Sequence, residues 1–368
     1  MPNQRLRRLM LQSVQGMTLG TLGRVLLRHR LAVAGRYWDR LLYLFLLGLL
    51  NSLARVFEQR CNHYKLAGVE PVAPPVFILG HWRSGTTHLQ NLLSLDEQFY
   101  APSAFQMTFP HHFLYSTPWG ARHFDRFAPK KRPMDDMSFF ARAPHEDEFG
   151  LAGLTAVSPY LTFLFPATGD AGLCALDPLR LPPEALQAWK SAFLYLLKKL
   201  TFHKNKRLLL KSPPHTGRVR VLLELCPGAK FVHIVRNPYE VYLSTRKLWL
   251  TSLSHSHLQV PESARLEGLI LSWYQELYRL FERDRGLIPP GDLSELTYED
   301  LVREPRRCLE KVYDELGLPG FERFWPRVSE YLETLRDYRR DTYRLDRRTR
   351  ETVVRHWGWA FDRFGYPR

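Results

Sequence analysis

The sequence predicts an α/β fold, a doubly wound parallel sheet flanked by helices, with a helical N-terminal extension. Three short, mostly apolar runs carry this prediction, at residues 76–79, 207–211 and 231–235. Each has the length and composition of a strand buried on both faces, as strands of parallel sheets are. Each is followed by a polar turn and then by apolar residues at helical spacing. This alternation of strand and helix places ligands at the carboxyl ends of the strands.

The turn after the first predicted strand has the spacing of a phosphate-binding loop. Gly80 and Gly85 bracket it, and a helix is predicted to start near Thr86. The N–H groups and the dipole at a helix start favour an anion. The spacing nearly matches G-x-x-x-x-G-K-[ST], but Thr86 stands at the lysine position and Arg83 lies inside the loop. The fold is therefore predicted to be of the phosphate-loop type, with an anion site. A strand–turn–helix connection without a ligand is the alternative.

Two later strands also end in cations. Lys211 ends the second run, and Arg236 directly follows the third. Because the carboxyl ends of parallel strands meet at one edge of a sheet, we expect Arg83, Lys211 and Arg236 to converge on one anion site. A phosphate-loop nucleotidase would place an aspartate at a strand end to hold Mg²⁺. Neither later strand ends so, which predicts a site that neutralises anions with side-chain cations and needs no metal.

The composition is that of a basic globular protein. The chain has 368 residues, 45% of them hydrophobic, and a formal net charge of +15. This charge fits an anionic ligand, an anionic membrane surface or a nucleic acid. A nucleic acid is disfavoured because the sequence contains no recognisable base-reading motif. The four cysteines are far apart and form no C-x-x-C pair, which predicts neither a zinc site nor a disulfide framework.

Residues 1–72 are predicted to be a basic and apolar helical extension, and residues 73–368 the α/β domain. The apolar run 41–50 has about ten residues, or about fourteen if two polar neighbours are tolerated, whereas a spanning helix needs roughly twenty. The run starts too far along the chain for a cleaved signal peptide. Three roles stay open: a helix buried against the α/β domain, an interfacial helix with Trp38 and Tyr43 at headgroup level, and a short signal anchor.

An acidic segment precedes a second apolar run. Glu146, Asp147 and Glu148 stand directly before it. They are interpreted either as the first turn of a helix, where acids are favourable with the dipole, or as the source of a carboxylate general base at the rim of an apolar site.

The adjacent histidines His111 and His112 lie in a segment where periodicity is poor, so loops and short helices are predicted. Adjacent residues cannot both face one site on a helix, and we favour packing over a catalytic base or a metal pair. Aromatic residues of this segment are predicted to wall an apolar pocket: Phe105, Phe109, Phe113, Phe139 and Phe140.

Taken together, these elements resemble the sulfotransferases that use 3′-phosphoadenosine 5′-phosphosulfate (PAPS), and among them the bacterial-type branch with an R-S-G-T-T loop. The resemblance runs from about Pro75 to the C-terminus. It is carried by the loop together with an arginine that is followed eight residues later by a serine, Arg236 and Ser244. In that family the loop holds the 5′-phosphosulfate, and it matches Arg83, Ser84, Gly85, Thr86 and Thr87.

The resemblance also implies roles outside the loop. Arg236 and Ser244 match the pair that holds the 3′-phosphate, and Tyr298 resembles the adenine-side tyrosine. Lys211 opens a K-S-P-P-H stretch that matches the K-S-P-x-H of the branch. The R-K-G element of the cytosolic branch is absent, and the Tyr343-Arg344 pair is its predicted replacement in binding PAPS.

The catalytic assignments follow from the same resemblance. The histidine base of the cytosolic branch has no clear counterpart, whereas the bacterial-type branch has an acidic E-D-E element. The base is therefore predicted to be Glu146 or Glu148. Arg83, Lys211 and the loop N–H groups are predicted to stabilise the charge that develops during in-line transfer.

The resemblance thus implies transfer of a sulfuryl group from PAPS to the hydroxyl of a small-molecule acceptor, with no metal and no nucleic-acid partner. The aromatic residues and the apolar N-terminal segment favour a hydrophobic alcohol, lipid-like or sterol-like, and a carbohydrate acceptor is the alternative. A phosphate-loop kinase and a catalytically silent nucleotide-binding scaffold are the rival classes. The expected location is the cytoplasm, with a peripheral membrane contact through residues 1–60 left open.

Overall fold

The computed structural model describes residues 14–128, 138–168, 170–336 and 343–368. In chain order, its helices are α1 (Leu19–Arg28), α2 (Trp38–Ala67), α3 (Thr86–Leu93), α4 (Ala104–Thr108), α5 (Phe113–Phe127), α6 (Asp147–Thr155), α7 (Asp170–Leu176), α8 (Pro183–His203), α9 (Val219–Leu225), α10 (Pro238–Lys247), α11 (Ser263–Asp284), α12 (Tyr298–Arg303), α13 (Pro305–Glu315), α14 (Phe321–Thr334) and α15 (Arg347–Phe364). Short 3₁₀ turns lie at Gly35–Tyr37, Pro159–Phe163, Pro166–Thr168, Pro178–Arg180, Pro213–Gly217, Leu253–His255 and Arg285–Leu287, and a π-helical turn at Leu248–Ser252.

Backbone proximity divides the chain into two units. The first unit comprises Met1–Val72, Pro102–Asn205 and Leu248–Leu269, and the second comprises Ala73–Ala101, Lys206–Lys247 and Ile270–Arg368. The predicted boundary after residue 72 is also a boundary between these units, yet two later segments group with the N-terminal one. The division into domains 1–72 and 73–368 stays a prediction.

The second unit contains a five-stranded sheet. Its strands, β1 (Val76–Leu79), β2 (Phe99–Tyr100), β3 (Arg207–Lys211), β4 (Lys230–Val235) and β5 (Leu293–Thr297), lie in the order β2-β3-β1-β4-β5. Each described pairing is parallel, so the predicted doubly wound parallel sheet is confirmed. β1 lies between β3 and β4, with Ile78 opposite Lys211 and Leu79 opposite His233. The ends of the three strands that carry predicted site residues therefore lie side by side.

Both faces of this sheet are covered, which explains why its central strands are continuous apolar runs. On one face the strands share a core with α3 and α13, formed by residues such as Val76, Ile78, Val232, Leu89 and Leu309. On the other face the His233 ring lies 4.2 Å from the Phe281 ring of α11, measured between centroids. β1 is buried along its whole length.

In the first unit, α2 is a long helix where the sequence predicted a short apolar run. It has 30 residues, and the most apolar 18-residue window of the stretch Gly35–Asn62 has a mean hydropathy of 1.6 and is 22% buried. Within the described ranges, it is the one helix long and apolar enough to cross a membrane, by length and composition. The predicted run of about ten to fourteen residues is therefore too short. The shorter count stopped at Asn51 and the longer one at Arg55. Asn51 is turned inward and buried, so it does not interrupt the exposed apolar side.

Prolines occur in two other helical regions. α5 has 15 residues in a segment predicted to form loops and short helices, and it contains Pro118. The helical region that follows β5 begins at Tyr298 and is divided by Pro305. Proline lacks an N–H donor and is accommodated at the first position of the second segment, α13.

The backbone at Gly80, directly after β1, leaves no space for a side chain. Its φ is +145°, and a Cβ atom there would lie 2.5 Å from the Ile234 carbonyl oxygen and 2.7 Å from Ser84 Oγ. The Gly80 N–H donates to the buried Thr216 Oγ1 at 2.7 Å. Because moving the backbone away would break this buried hydrogen bond, only glycine fits.

We expect Gly80→Ala to destabilise the protein by about 3 kcal/mol, through the unfavourable φ and the clash with the backbone of β4. Gly317→Ala is the matched control, since Gly317 also has a positive φ, +59°, with nothing within 4 Å of its Cβ position. The control should lose only about 1 kcal/mol. Urea unfolding measures both variants, and equal losses would contradict the assigned clash.

Candidate active site

The loop between β1 and α3 lies against a tyrosine from another strand end. Gly85 is the N-cap of α3, with a φ of +100°, and a Cβ atom there would lie 2.3 Å from Tyr298 Cδ2. Tyr298 directly follows β5. Only glycine lets the loop backbone approach the ring so closely, and the first N–H groups of α3 add partial positive charge at this edge.

The middle of the loop is held in a strained conformation. Arg83 has a φ of +69°, and this left-handed backbone costs about 1 kcal/mol for a residue other than glycine. The turn is fixed by Ser84, whose N–H and Oγ both donate to the His81 carbonyl oxygen, at 3.1 and 2.7 Å. Arg236 NH1 donates to the Arg83 carbonyl oxygen at 3.3 Å. Strain that is held in place by its surroundings is typical of ligand-binding loops.

The structure brings most of the predicted site residues together at the carboxyl ends of the strands. Arg83 Nε donates to Ser244 Oγ at 2.9 Å, and Tyr343 OH lies 3.1 Å from the same oxygen. Lys211 Nζ donates to Thr87 Oγ1 at 3.3 Å. The two ends of the predicted loop are thus joined, one to α10 and the other to β3.

Arg236 connects the loop to the tyrosine at the end of β5. Its guanidinium carbon lies 4.6 Å from the centre of the Tyr298 ring, a cation–π contact. Its NH2 also donates to Glu240 at 3.1 Å. Arg344, predicted to bind the donor beside Tyr343, is exposed, and its role stays a prediction.

Two residues that the sequence analysis missed hold this edge in place. The buried Thr216 Oγ1 accepts from the Gly80 N–H. The Glu299 carboxylate accepts from the Asn237 N–H at 3.1 Å and from Tyr366 OH at 2.6 Å. These partners are 62 or more positions apart in the chain, so no local pattern reveals them. The one sequence feature that could have indicated either residue is the position of Thr216 directly after the K-S-P-P-H stretch.

His81, inside the loop, is a buried packing residue. Its Nδ1 donates to the Trp82 carbonyl oxygen at 2.8 Å, and its ring centroid lies 5.0 Å from that of Tyr274. Burial lowers the pKa of His81 to about 3. The imidazole is therefore neutral at physiological pH.

The two predicted bases belong to the first unit. α6 begins at Asp147, with Glu146 as its N-cap and Glu148 in its first turn, so the acids do form a helix start. Glu146 is half-buried and accepts a hydrogen bond from Tyr160 OH, and Glu148 is fully buried. The role of either carboxylate as a base stays a prediction.

The adjacent histidines are packing residues, as the sequence analysis favoured. His111 Nε2 donates to the Gly153 carbonyl oxygen at 3.2 Å, and His112 Nδ1 lies 2.8 Å from Ser116 Oγ. Burial lowers their pKa values, to about 3 for His111 and about 4 for His112. Both rings are therefore neutral at physiological pH.

The predicted aromatic walls divide by burial. Phe105 and Phe113 are 3% and 0% exposed, which makes them core residues of the first unit rather than walls of an open pocket. Phe109 and Phe139 are half-buried and Phe140 is exposed. A contribution of these three to an acceptor pocket stays a prediction.

The comparison with known sequences gives one consistent result. The model of a family described as "Sulfotransferase family" matches residues 74–323. The omega-hydroxy-beta-dihydromenaquinone-9 sulfotransferase Stf3 of Mycobacterium bovis is 38% identical over 346 residues, which cover 94% of this chain and 89% of that protein. The protein of the same name from Mycobacterium tuberculosis matches to the same extent.

Solved structures show the same fold. The sulfotransferase STF9 from Mycobacterium avium matches with a TM-score of 0.65 and 19% identity, over 85% of this chain and 82% of that one. The sulfotransferase STF1 from Mycobacterium tuberculosis also has a TM-score of 0.65, with 16% identity, over 92% of this chain and 91% of that one. At these identities the similarity is one of fold.

The burial of His81 predicts a pH dependence of stability. Its pKa is about 3 when folded and close to the ordinary value of 6.5 when unfolded. Between these values the unfolded chain binds more protons, so stability falls as the pH is lowered from 6.5 towards 3. His81→Gln should reduce the loss of unfolding free energy between pH 7 and pH 5 by about 2 kcal/mol. Urea unfolding at both pH values tests this, and an unchanged difference in the variant would refute it.

Proposed function

Because this chain belongs to the sulfotransferase family, we propose that it transfers a sulfuryl group from PAPS to the hydroxyl of a hydrophobic lipid alcohol. The chain is an enzyme of the transferase class. The proposal assigns its donor site, its catalytic base and its acceptor. The donor site is proposed on one main observation. Arg83 contacts Ser244, and Arg236 is hydrogen-bonded to the same loop.

The arrangement of cations fits a donor with anionic groups at two places. We assign the 5′-phosphosulfate to the loop from Arg83 to Thr87, the first turn of α3 and Lys211. Arg236 and Ser244 are assigned to the 3′-phosphate, which distinguishes PAPS from ATP. The Tyr298 ring is assigned to the adenine side, and Tyr343, bonded to Ser244, to the same donor. Support comes from the placement of these side chains at one edge of a parallel sheet.

The mechanism that follows uses positioning and electrostatics. PAPS supplies the sulfuryl group that passes to the acceptor oxygen. Arg83, Lys211 and the N–H groups at the start of α3 stabilise the negative charge that grows on the donor oxygens. Glu146 or Glu148 takes the proton from the acceptor hydroxyl.

The acceptor class is proposed from the relatives. The two mycobacterial proteins are named for omega-hydroxy-beta-dihydromenaquinone-9, and this chain matches them over nearly its whole length. We therefore assign a lipid alcohol of hydrophobic character to this chain as well. We also propose that the protein works in the cytoplasm and contacts a membrane peripherally through residues 1–60.

Arg236→Ala should weaken binding of 3′,5′-adenosine bisphosphate by roughly 30-fold, because a hydrogen bond to a charged group contributes about 2 kcal/mol. Binding of adenosine 5′-phosphosulfate, which lacks the 3′-phosphate, should change by no more than about threefold. Titration calorimetry measures both affinities.

The matched control is Arg303→Ala, in the same unit. Arg303 is 68% exposed and pairs with Asp300, so its removal should leave both affinities at the wild-type value. If Arg236→Ala weakens the two nucleotides equally, the 3′-phosphate does not lie at Arg236.

The reaction is tested by measuring transfer of labelled sulfate from PAPS to a long-chain isoprenoid alcohol. The same assay tests whether a carboxylate is the catalytic base. Either Glu146→Gln or Glu148→Gln should lower turnover by about 100-fold or more, while binding of 3′,5′-adenosine bisphosphate is kept. Glu184→Gln is the control, since Glu184 is also an acid in the first turn of a helix and is exposed. Wild-type turnover in both site variants would exclude a carboxylate base here.

A further inference from the structure

The packed face of α2 contains buried polar side chains. One stripe of the helix is turned into the first unit, formed by Leu44, Gly48, Asn51 and Glu58. The spacing of four, three and seven residues keeps them on one side. Asn51 Nδ2 donates to the carbonyl oxygens of Gln15 and Met17, both at 2.9 Å. Gly48, Asn51 and Glu58 thus occupy inward positions that a helix of a water-soluble protein usually gives to large apolar side chains.

A buried ion pair lies at the other end of this face. Glu58, 1% exposed, forms an ion pair with Lys199 of α8, which is 0% exposed. Lys199 Nζ also donates to the Pro110 carbonyl oxygen at 2.6 Å, and Glu58 Oε2 accepts from the Tyr115 N–H at 3.2 Å. Because a buried charge is tolerated only when it is paired and hydrogen-bonded, these contacts fix which side of α2 faces inward.

The opposite side of α2 is apolar and exposed. We call it the outer face: Leu42, Phe45, Leu46, Leu49, Leu50 and Leu53, each 41–63% exposed. A large exposed apolar patch is informative in a way that single exposed residues are not, and it marks an interaction surface. A helix that faces lipid typically turns small and polar residues inward and leucine and phenylalanine outward.

Aromatic side chains flank the outer face and extend it onto α5. Trp38 is 62% exposed at the start of α2, and Phe57 lies about 28 Å further along the helix. The Phe57 ring is 4.6 Å from that of Tyr115, whose ring is 6.4 Å from that of Trp119, and the last two are about half exposed. Tryptophan and tyrosine have apolar rings with a polar atom, which suits the headgroup level of a membrane.

The charge around this surface favours an anionic bilayer. Residues 14–70 carry eight Lys or Arg side chains and three Asp or Glu, and the whole chain has a net charge of +15. Exposed Arg55 and Arg60 follow the outer face along α2. Basic side chains beside an inserted apolar surface bind anionic lipid headgroups.

We propose that α2 lies in the plane of an anionic bilayer, with its outer face in the hydrocarbon and Tyr115 and Trp119 of α5 at headgroup level. This inference specifies the membrane contact proposed above and depends on that part of the proposed function. An in-plane position immerses only the apolar side. A spanning position would carry Asn51 and the Glu58–Lys199 pair into the hydrocarbon, where charged groups are strongly disfavoured.

Flotation of the full-length protein with vesicles of phosphatidylcholine and phosphatidylglycerol tests the proposal. The wild type should float with the vesicles, and a triple variant, Leu46→Gln with Leu50→Gln and Leu53→Gln, should lose roughly tenfold or more in partitioning. The matched control carries the same change at three other exposed leucines, Leu179→Gln, Leu194→Gln and Leu287→Gln, and should float like the wild type. Urea unfolding and binding of 3′,5′-adenosine bisphosphate report whether each variant is folded.

A second variant tests α5. Tyr115→Ser with Trp119→Ser should weaken flotation several-fold, which a contact confined to residues 1–60 does not predict. Wild-type protein should also exchange between vesicle populations, as an in-plane helix allows; retention in the first population would indicate a spanning helix and overturn the proposal.

Other outcomes also overturn it. These are wild-type protein that stays unbound, or a triple variant that floats fully. A triple variant that turns a wild-type dimer into a monomer in light scattering would assign the outer face to a second copy. Flotation without nucleotide binding would refute the donor assignment alone, so the two proposals fail separately.

Discussion

The close approach of the Gly85 backbone to the Tyr298 ring organises the sheet edge where the predicted site residues of the second unit lie. The ring fills the space that a Cβ atom would need, 2.3 Å away, so the loop after β1 and the start of α12 must move together. The pairing of β5 with β4 then carries this restraint to Arg236, whose guanidinium lies against the same ring. Three strand ends are thus coordinated by one aromatic side chain, which preorganises the edge before any ligand arrives.

The charges at this edge favour an anionic ligand. Two guanidinium groups, one ammonium group and the positive end of α3 lie near the same loop. Like charges at such spacing repel one another, and Glu240 offsets Arg236 in part. An anion with several oxygens relieves that repulsion. For the proposed donor, such a positive potential would also raise the rate at which the multiply charged nucleotide meets the site.

Much of this edge could be predicted from the sequence, and the exceptions have a common cause. β1, β3 and the start of α3 were predictable because apolar runs meet glycine or a polar turn there. The grouping of Arg83, Lys211 and Arg236 followed because parallel strands end at one edge. Thr216 and Glu299 were missed because their partners are distant in the chain. The length of α2 was missed because Asn51 and Arg55 look like interruptions of an apolar run, whereas Asn51 is turned inward and buried. The bases Glu146 and Glu148 stay predictions, since a helix start accounts for the acids equally well.

The inward contacts of Asn51 and Glu58 fix the rotation of α2 about its own axis. An amphipathic helix on a protein surface can usually turn to hide its apolar side. Here a turn of one residue position, about 100°, would draw Glu58 away from Lys199 and leave a buried charge uncompensated, at about 3–5 kcal/mol. The apolar side is therefore presented from the moment the helix packs. If the outer face meets lipid as proposed, folding and the encounter with lipid are consecutive steps, and detergent would take the place of lipid during purification.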